Sequence, residues 1–250
     1  MSTIVYQKPE GLTDVRMHYC PGCGHGIVHR LIAECISELG ETENTIICAP
    51  VGCAVFIPKY FTYDSIQCAH GRAPATATGI KRVHPDKMVL TYQGDGDLAS
   101  IGTAEIIHAA ARGEKFTTIF INNGIYGMTG GQMAPTTLPG MRSTTSQAGR
   151  DPHINGNPIR VCEMLATLTG PAYIERVAVD SPAHVIQTKK AIKKALTMQQ
   201  EGKGFTFVEV VSSCPTNWGL SATKAMEFVK EKMIPYYPLG VFKDMEKEGE

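Results

Sequence analysis

The sequence predicts an α/β fold with a doubly wound, mainly parallel sheet and helices on both faces. Three observations carry that expectation. Short apolar runs of strand length alternate with stretches of helical period, the pattern of repeated strand–helix–strand units. The unusual loops, after residues 49, 92, 121 and 211, all leave predicted strands at their carboxyl ends, where such sheets bind ligands. The length, 250 residues, suits one such domain with a sizeable core.

The elements follow in order. Residues 1–19 have no strong period and read as an N-terminal arm. In residues 25–40 the apolar positions Ile27, Val28, Leu31, Ile32, Cys35, Ile36 and Leu39 share one face of a helix, and Gly40 suits its C′ position. Strands are expected at 45–49 and 65–68. Residues 73–83 read as a helix of small side chains, so something packs closely against it. A strand at 88–92 enters Gly94-Asp95-Gly96-Asp97, and a helix follows to about Arg112, with Gly113 after it. The strand at 116–121 opens a long segment, 122–157, rich in Gly, Thr, Pro and Met and without a regular period. A loop of that length is usually functional or partner-bound. A short helix at 160–169 and a strand at 172–179 precede a helix capped by Ser181, with Pro182 at its first position. A strand at 205–211 and a helix at about 221–234 complete a single domain over 1–250, with a charged tail from about 235 to 250.

Lys+Arg and Asp+Glu are 24 each, so the formal net charge is zero and no basic footprint for nucleic acid is present. No apolar run is long enough for a membrane helix. Lys8, Glu10, Asp14 and Arg16 stand where a signal peptide needs an apolar stretch. The expected location is therefore the cytoplasm, with the eight cysteines reduced or liganded. Lys189, Lys190, Lys193 and Lys194 share a helix face, read as a solvated face, with a docking site for an acidic ferredoxin as the alternative.

Asp95 sits between a strand and a helix. A glycine on each side lets a phosphate approach the backbone, and a helix N-terminus favours anions. The carboxylate alone would repel a diphosphate. A magnesium ion resolves this by taking hard oxygen ligands from both. Asn123, leaving the next strand, offers a second oxygen, and the Ile125 carbonyl a third. About 25 residues separate Gly96 from Asn122-Asn123, which makes the pair of motifs specific. The bland alternative is a tight turn with Asp97 as a helix cap.

Cys20-Pro21-Gly22-Cys23, Val51-Gly52-Cys53 and Cys214-Pro215 lie in turn-rich loops, from which thiolates can converge on a soft-metal centre. Cys35, Cys48 and Cys162 fall on core positions, and Cys68 reads as core or close to the His70 segment. A zinc site on the first four is the alternative to an iron–sulfur centre. Cys48, five residues before Cys53, is the other candidate for that ligand position.

Together with Cys20-Pro21-Gly22-Cys23-Gly24, His70-Gly71-Arg72-Ala73 and Tyr126-Gly127-Met128-Thr129-Gly130-Gly131-Gln132, the Gly94-Asp95-Gly96…Asn122-Asn123 spacing resembles the β subunit of 2-oxoacid:ferredoxin oxidoreductases. The resemblance spans about residues 17–220. It implies the thiamine diphosphate-binding fold, with Asp95, Asn123 and the Ile125 carbonyl on magnesium. Gly94, Gly96, Asp97, Thr129 and Gly130 would lie along the cofactor, and His70 and Arg72 near cofactor or substrate as catalytic residues. Cys20, Cys23, Cys53 and Cys214 would hold one [4Fe–4S] cluster. The null for His70 is a packed, hydrogen-bonded histidine.

The implied reaction is oxidative decarboxylation of a 2-oxoacid with coenzyme A, the electrons passing to ferredoxin. The Met133-Ala134-Pro135-Thr136-Thr137 loop looks most like members acting on branched-chain substrates such as 2-oxoisovalerate, with 2-oxoglutarate and aryl 2-oxoacids open. Thiamine chemistry also needs a glutamate facing the aminopyrimidine, and no second α/β domain is present to supply it. Glu105 and Glu163 have no evident role there. A partner α subunit is therefore expected to provide that half, and small ferredoxin-like subunits are compatible with the family. The helix at 73–83 and the 122–157 loop are the expected contact surfaces. A non-oxidative thiamine enzyme with structural cysteines, and a non-catalytic metal-binding interaction module, are the competing readings.

Overall fold

The computed structural model describes residues 7–247. Seven strands form one sheet: β1 (Thr45–Ala49), β2 (Asp64–Gln67), β3 (Met88–Gly94), β4 (Thr117–Asn122), β7 (Pro171–Ala178), β8 (Phe205–Val211) and β9 (Gly240–Asp244), in the order β2-β1-β3-β4-β8-β7-β9. Every neighbouring pair is parallel except β7–β9. The short strands β5 (Ile125–Tyr126) and β6 (Gln132–Met133) pair separately as an antiparallel ribbon.

The strands are apolar on both sides because both faces are covered, and successive side chains alternate between two cores. On one face Ile47, Leu90, Ile119 and Val208 meet α1 (His25–Glu38) and the long helix Pro182–Gln200. On the other, Val89, Phe120 and Phe207 meet α2 (Ala73–Val83), α3 (Thr103–Ala111) and α4 (Val161–Ala166). We term Pro182–Gln200 α5. It is capped as expected, Ser181 accepting from the His184 amide. Gly40 closes α1 at φ +72°. A third apolar group, including Leu138, Val211, Met233 and Tyr237, ties α6 (Ala222–Phe228) and the turns after it onto the 122–157 segment.

The small side chains of α2 have an internal explanation. Ala73, Pro74, Ala77 and Thr78 are buried, and a Cβ on the preceding Gly71 would strike the Gly102 amide at 2.7 Å, so α2 and α3 approach closely. One face of α2 is thus used within the chain, while Ala75, Gly79 and Val83 on it are exposed. The region read as a charged tail instead carries β9, which closes the sheet edge beside β7; its residues 248–250 lie outside the described range. In the arm, of which residues 1–6 lie outside that range, Leu12 bridges to Phe61 and His18 bonds Tyr60. Among the described residues no helix is long and apolar enough to cross a membrane.

The lysine face of α5 is neutralised. Lys189 pairs with Glu34 and Glu38, Lys193 with Glu38, and Lys194 with Asp244 and Glu246.

Candidate functional site

A cavity of about 130 Å3 opens at the carboxyl ends of β1, β3 and β4. Its walls include His25, Cys53, His70, Gly94, Asp95, Gly96, Asp97, Asn123, Ile125, Gly127 and Thr129. Pockets that enclose a whole cofactor-sized ligand run to roughly 300–1,000 Å3, so this one suits only part of such a molecule.

Asp95 is 2% exposed. Its Oδ2 accepts from the Gly124 amide at 2.7 Å and from the Thr136 hydroxyl, while Oδ1 has only the Asn123 amide at 3.3 Å. Burial pushes its pKa up to about 6, against the opposing pull of those donors. A carboxylate so placed lacks a counter-charge, and a divalent cation on the cavity side would supply one. Asn123 Oδ1, accepting the Ile125 amide at 3.2 Å, and Ile125 itself line the same cavity.

The helix after Asp95 begins with a wide turn over Gly96–Ile101, closed by the Gly102 amide on Asp97 O at 2.9 Å. Such turns are frequent at functional sites. Gly96 is required by crowding, since a Cβ there would lie 2.0 Å from the Tyr126 ring.

Asp97 lines the cavity beside Gly96, and its side chain is engaged within the protein. Its Oδ1 accepts from the Val51 amide at 3.1 Å and the Gly71 amide at 3.0 Å, and its Oδ2 from Gln93 Nε2 at 2.7 Å. The carboxylate therefore ties the Val51 and Gly71 loops to the end of β3. His70 reaches the cavity with Nδ1 2.8 Å from Asp97 Oδ1, off the axis of a good hydrogen bond. Arg72 pairs with Glu105 and is not among the lining residues, nor is Gly130. His25, which sequence reasoning missed, lines the cavity too; its Nδ1 bonds Tyr92 Oη at 2.6 Å, and burial pushes its pKa down to about 3, so it is a neutral imidazole.

The cysteines sort into two groups. Cys20, Cys23, Cys53 and Cys214 gather at the cavity rim, close enough that their charges would repel one another. Burial is the larger influence, pushing the Cys23 thiol up to about 12 and Cys53 to about 11. A Cβ on Gly127 would lie 3.1 Å from Cys53 Sγ and 3.6 Å from Cys214 Sγ, so the cavity wall at this glycine lies directly against two of the sulfurs. Asn217 Nδ2 sits 3.3 Å from Cys214 Sγ. Among the described residues no three side chains are drawn tightly enough for a single metal ion. Cys48 is fully buried in β1, where its free thiol hydrogen-bonds the free thiol of Cys68.

Residues 50–210 match the family described as "Thiamine pyrophosphate enzyme, C-terminal TPP binding domain". The 2-oxoglutarate synthase subunit KorB of Methanocaldococcus jannaschii is 42% identical over 236 residues, covering 92% of this chain and 82% of that protein. The chain belongs to the thiamine diphosphate-binding subunits of the 2-oxoacid:ferredoxin oxidoreductases. The ketoisovalerate oxidoreductase subunit VorA of Methanothermobacter thermautotrophicus is similar to this family member at 50% identity over 260 residues, covering 100% of the chain and 54% of VorA. The chain thus spans about half the length of that relative. A solved 2-oxoglutarate:ferredoxin oxidoreductase from Magnetococcus marinus, with 2-oxoglutarate, coenzyme A and succinyl-CoA bound, superposes with a TM-score of 0.75 at 26% identity, over 94% of this chain and 83% of that one. The family's thiamine-binding region coincides with the strands and loops that build the cavity.

Proposed function

We propose that this chain is the β subunit of an enzyme that oxidatively decarboxylates a 2-oxoacid with coenzyme A, giving an acyl-CoA, carbon dioxide and reduced ferredoxin. The observation that carries this is the contact at Gly127, a residue of the buried acidic half-cavity whose Cβ position lies beside the sulfurs of Cys53 and Cys214. In this reading Asp95, Asn123 and the Ile125 carbonyl hold magnesium, and Gly94, Gly96, Thr129 and Gly130 leave room for the diphosphate. Cys20, Cys23, Cys53 and Cys214 hold a [4Fe–4S] cluster. When bound, thiamine diphosphate supplies the electron sink for decarboxylation, and the cluster supplies a one-electron acceptor beside it.

The chain's own groups have separable tasks. Asp97 fixes the loops that form the cavity floor. His70 and neutral His25 face the reacting end and can donate or accept a hydrogen bond there. Tyr126 fills the space that Gly96 leaves, which keeps water from the diphosphate end. The acidic residues of the cavity wall are Asp95 and Asp97, both engaged, while Glu105 pairs with Arg72 and Glu163 with Arg176. The glutamate that must face the aminopyrimidine therefore comes from a partner α domain, and the small cavity fits a half-site. The purified chain without that partner should release no carbon dioxide.

A branched-chain substrate is favoured by the ketoisovalerate-type relative, and eight free cysteines suit a reducing cytoplasm. The test is to purify the complete enzyme anaerobically and measure iron, acid-labile sulfide and the EPR signal after dithionite. A panel of branched-chain, aryl and dicarboxylic 2-oxoacids is then assayed with coenzyme A and a viologen acceptor. Zinc without sulfide would overturn the cluster, and coenzyme A-independent turnover would favour a non-oxidative thiamine enzyme.

A further inference from the structure

Within the 122–157 segment, Thr136 is fully buried and donates its hydroxyl to Asp95 Oδ2. A threonine hydroxyl has one proton and an ionised carboxylate only accepts, so the direction of this bond is fixed. The segment around it has little regular secondary structure, yet its backbone is held from two sides. Arg150, 5% exposed, donates to the carbonyls of Pro135 and Thr137 at 2.9 Å each, to Ala134 at 3.2 Å and to Gly156 at 2.8 Å. The guanidinium is thus spent on main-chain oxygens that a folded loop must otherwise leave unsatisfied. From the opposite side Tyr237, also buried, donates its hydroxyl to the Thr136 carbonyl at 2.7 Å. The residue therefore has one place to put its own hydroxyl.

The consequence for Asp95 is asymmetric. Oδ2 has two donors, the Thr136 hydroxyl and the Gly124 amide, whereas Oδ1 has one long contact with the Asn123 amide. We propose that Thr136 is a positioning residue for the divalent cation: it pins Oδ2 so that Oδ1 is presented to the metal. This rests on the assignment of Asp95 as a magnesium ligand. It also gives the irregular loop a task inside the chain, in place of one confined to the substrate.

The test uses the complete enzyme stripped of cofactor and metal by dialysis against EDTA. Mn2+ binding at fixed thiamine diphosphate is then followed by EPR, with no turnover required. Groups that orient a metal ligand typically contribute 10–100-fold in affinity. Thr136→Val and Thr136→Ala should therefore both weaken Mn2+ by roughly 10-fold or more, and Thr136→Ser, which keeps the hydroxyl, should restore affinity to within about threefold. Should the valine variant not fold, the alanine and serine variants carry the comparison. Unchanged Mn2+ affinity in the alanine variant, together with loss of binding in Asp95→Ala, overturns the role of Thr136. Cofactor-dependent Mn2+ binding that survives in Asp95→Ala overturns the assignment of Asp95 itself, a separate and distinguishable outcome.

Discussion

Replacing Arg176 with methionine should destabilise the protein by about 3–5 kcal/mol, and the structure shows why the figure is large. The guanidinium is fully buried. Its Nε lies 2.9 Å from Oε2 of Glu209, which is equally buried, and its Nη1 and Nη2 reach Glu163 at 3.0 and 2.5 Å. Nη1 also donates to the Pro238 carbonyl at 3.2 Å, and the group lies over the Phe242 ring, 4.8 Å from its centroid. Methionine keeps much of the volume but leaves the Glu209 carboxylate with hydrogen bonds from Asn122 Nδ2 at 2.7 Å and the Cys162 thiol and no counter-charge. The cost is that of an uncompensated buried charge. Glu163 is partly exposed and can be resolvated, so it adds little. For a domain of this size the expected loss corresponds to roughly 6–20 °C in Tm. The double variant Arg176→Met/Glu209→Gln removes the stranded charge and should recover at least half of that. Thermal melts of the wild type, both single variants and the double variant under one set of conditions measure it. A single variant melting within 2 °C of wild type, or a double variant no better than Arg176→Met, would refute the reasoning.

Further outcomes follow from other sites. In EDTA, Asp95→Asn should stabilise the metal-free protein above pH 6 by up to about 3 kcal/mol, because the folded pKa of about 6 exceeds the ordinary 3.8. That cost of the ionised carboxylate is relieved as pH falls from 6 towards 4, so the gain over wild type should shrink across that window in melts at each pH. Gly96→Ala should reduce thiamine diphosphate binding at least 10-fold in calorimetric titration, since its Cβ would meet the Tyr126 ring at 2.0 Å and displace that wall. Cys53→Ser should lose iron on anaerobic purification. Cys48→Ala should retain it at a stability cost of about 1–2 kcal/mol for the core cavity; equal iron loss in both would reverse the assignment.

Much of the fold was legible because the sheet is covered on both faces. Strands such as residues 45–49 and 205–211 are mostly apolar and buried almost throughout, and the helix at 73–83 ends where its pattern ends. The edges were less legible. β2 is exposed along its whole length and β9 is short and partly charged, so neither shows a buried-strand pattern. At the site, Asp95, Asn123 and the four cysteines could be found because glycine, proline and pair spacing mark them. Thr136, Tyr237 and Gln93 could not, because they act from distant loops onto atoms already identified. What the motif position of Asp97 does not reveal is that its side chain accepts from two backbone amides and the Gln93 side chain.

The sulfur-bearing loops lie far apart in sequence, Cys20 near the start and Cys214 near the finish. A centre joining them closes a ring around nearly the whole domain, and a ring of that size removes on the order of 5 kcal/mol of freedom from the unfolded chain. Destruction of the centre by oxygen would then do more than stop electron flow. It would free both ends at once and raise the population open to proteases, so damaged copies would be cleared faster than intact ones. Limited proteolysis before and after air exposure, with cleavage mapped near residues 7–24, would read that coupling directly.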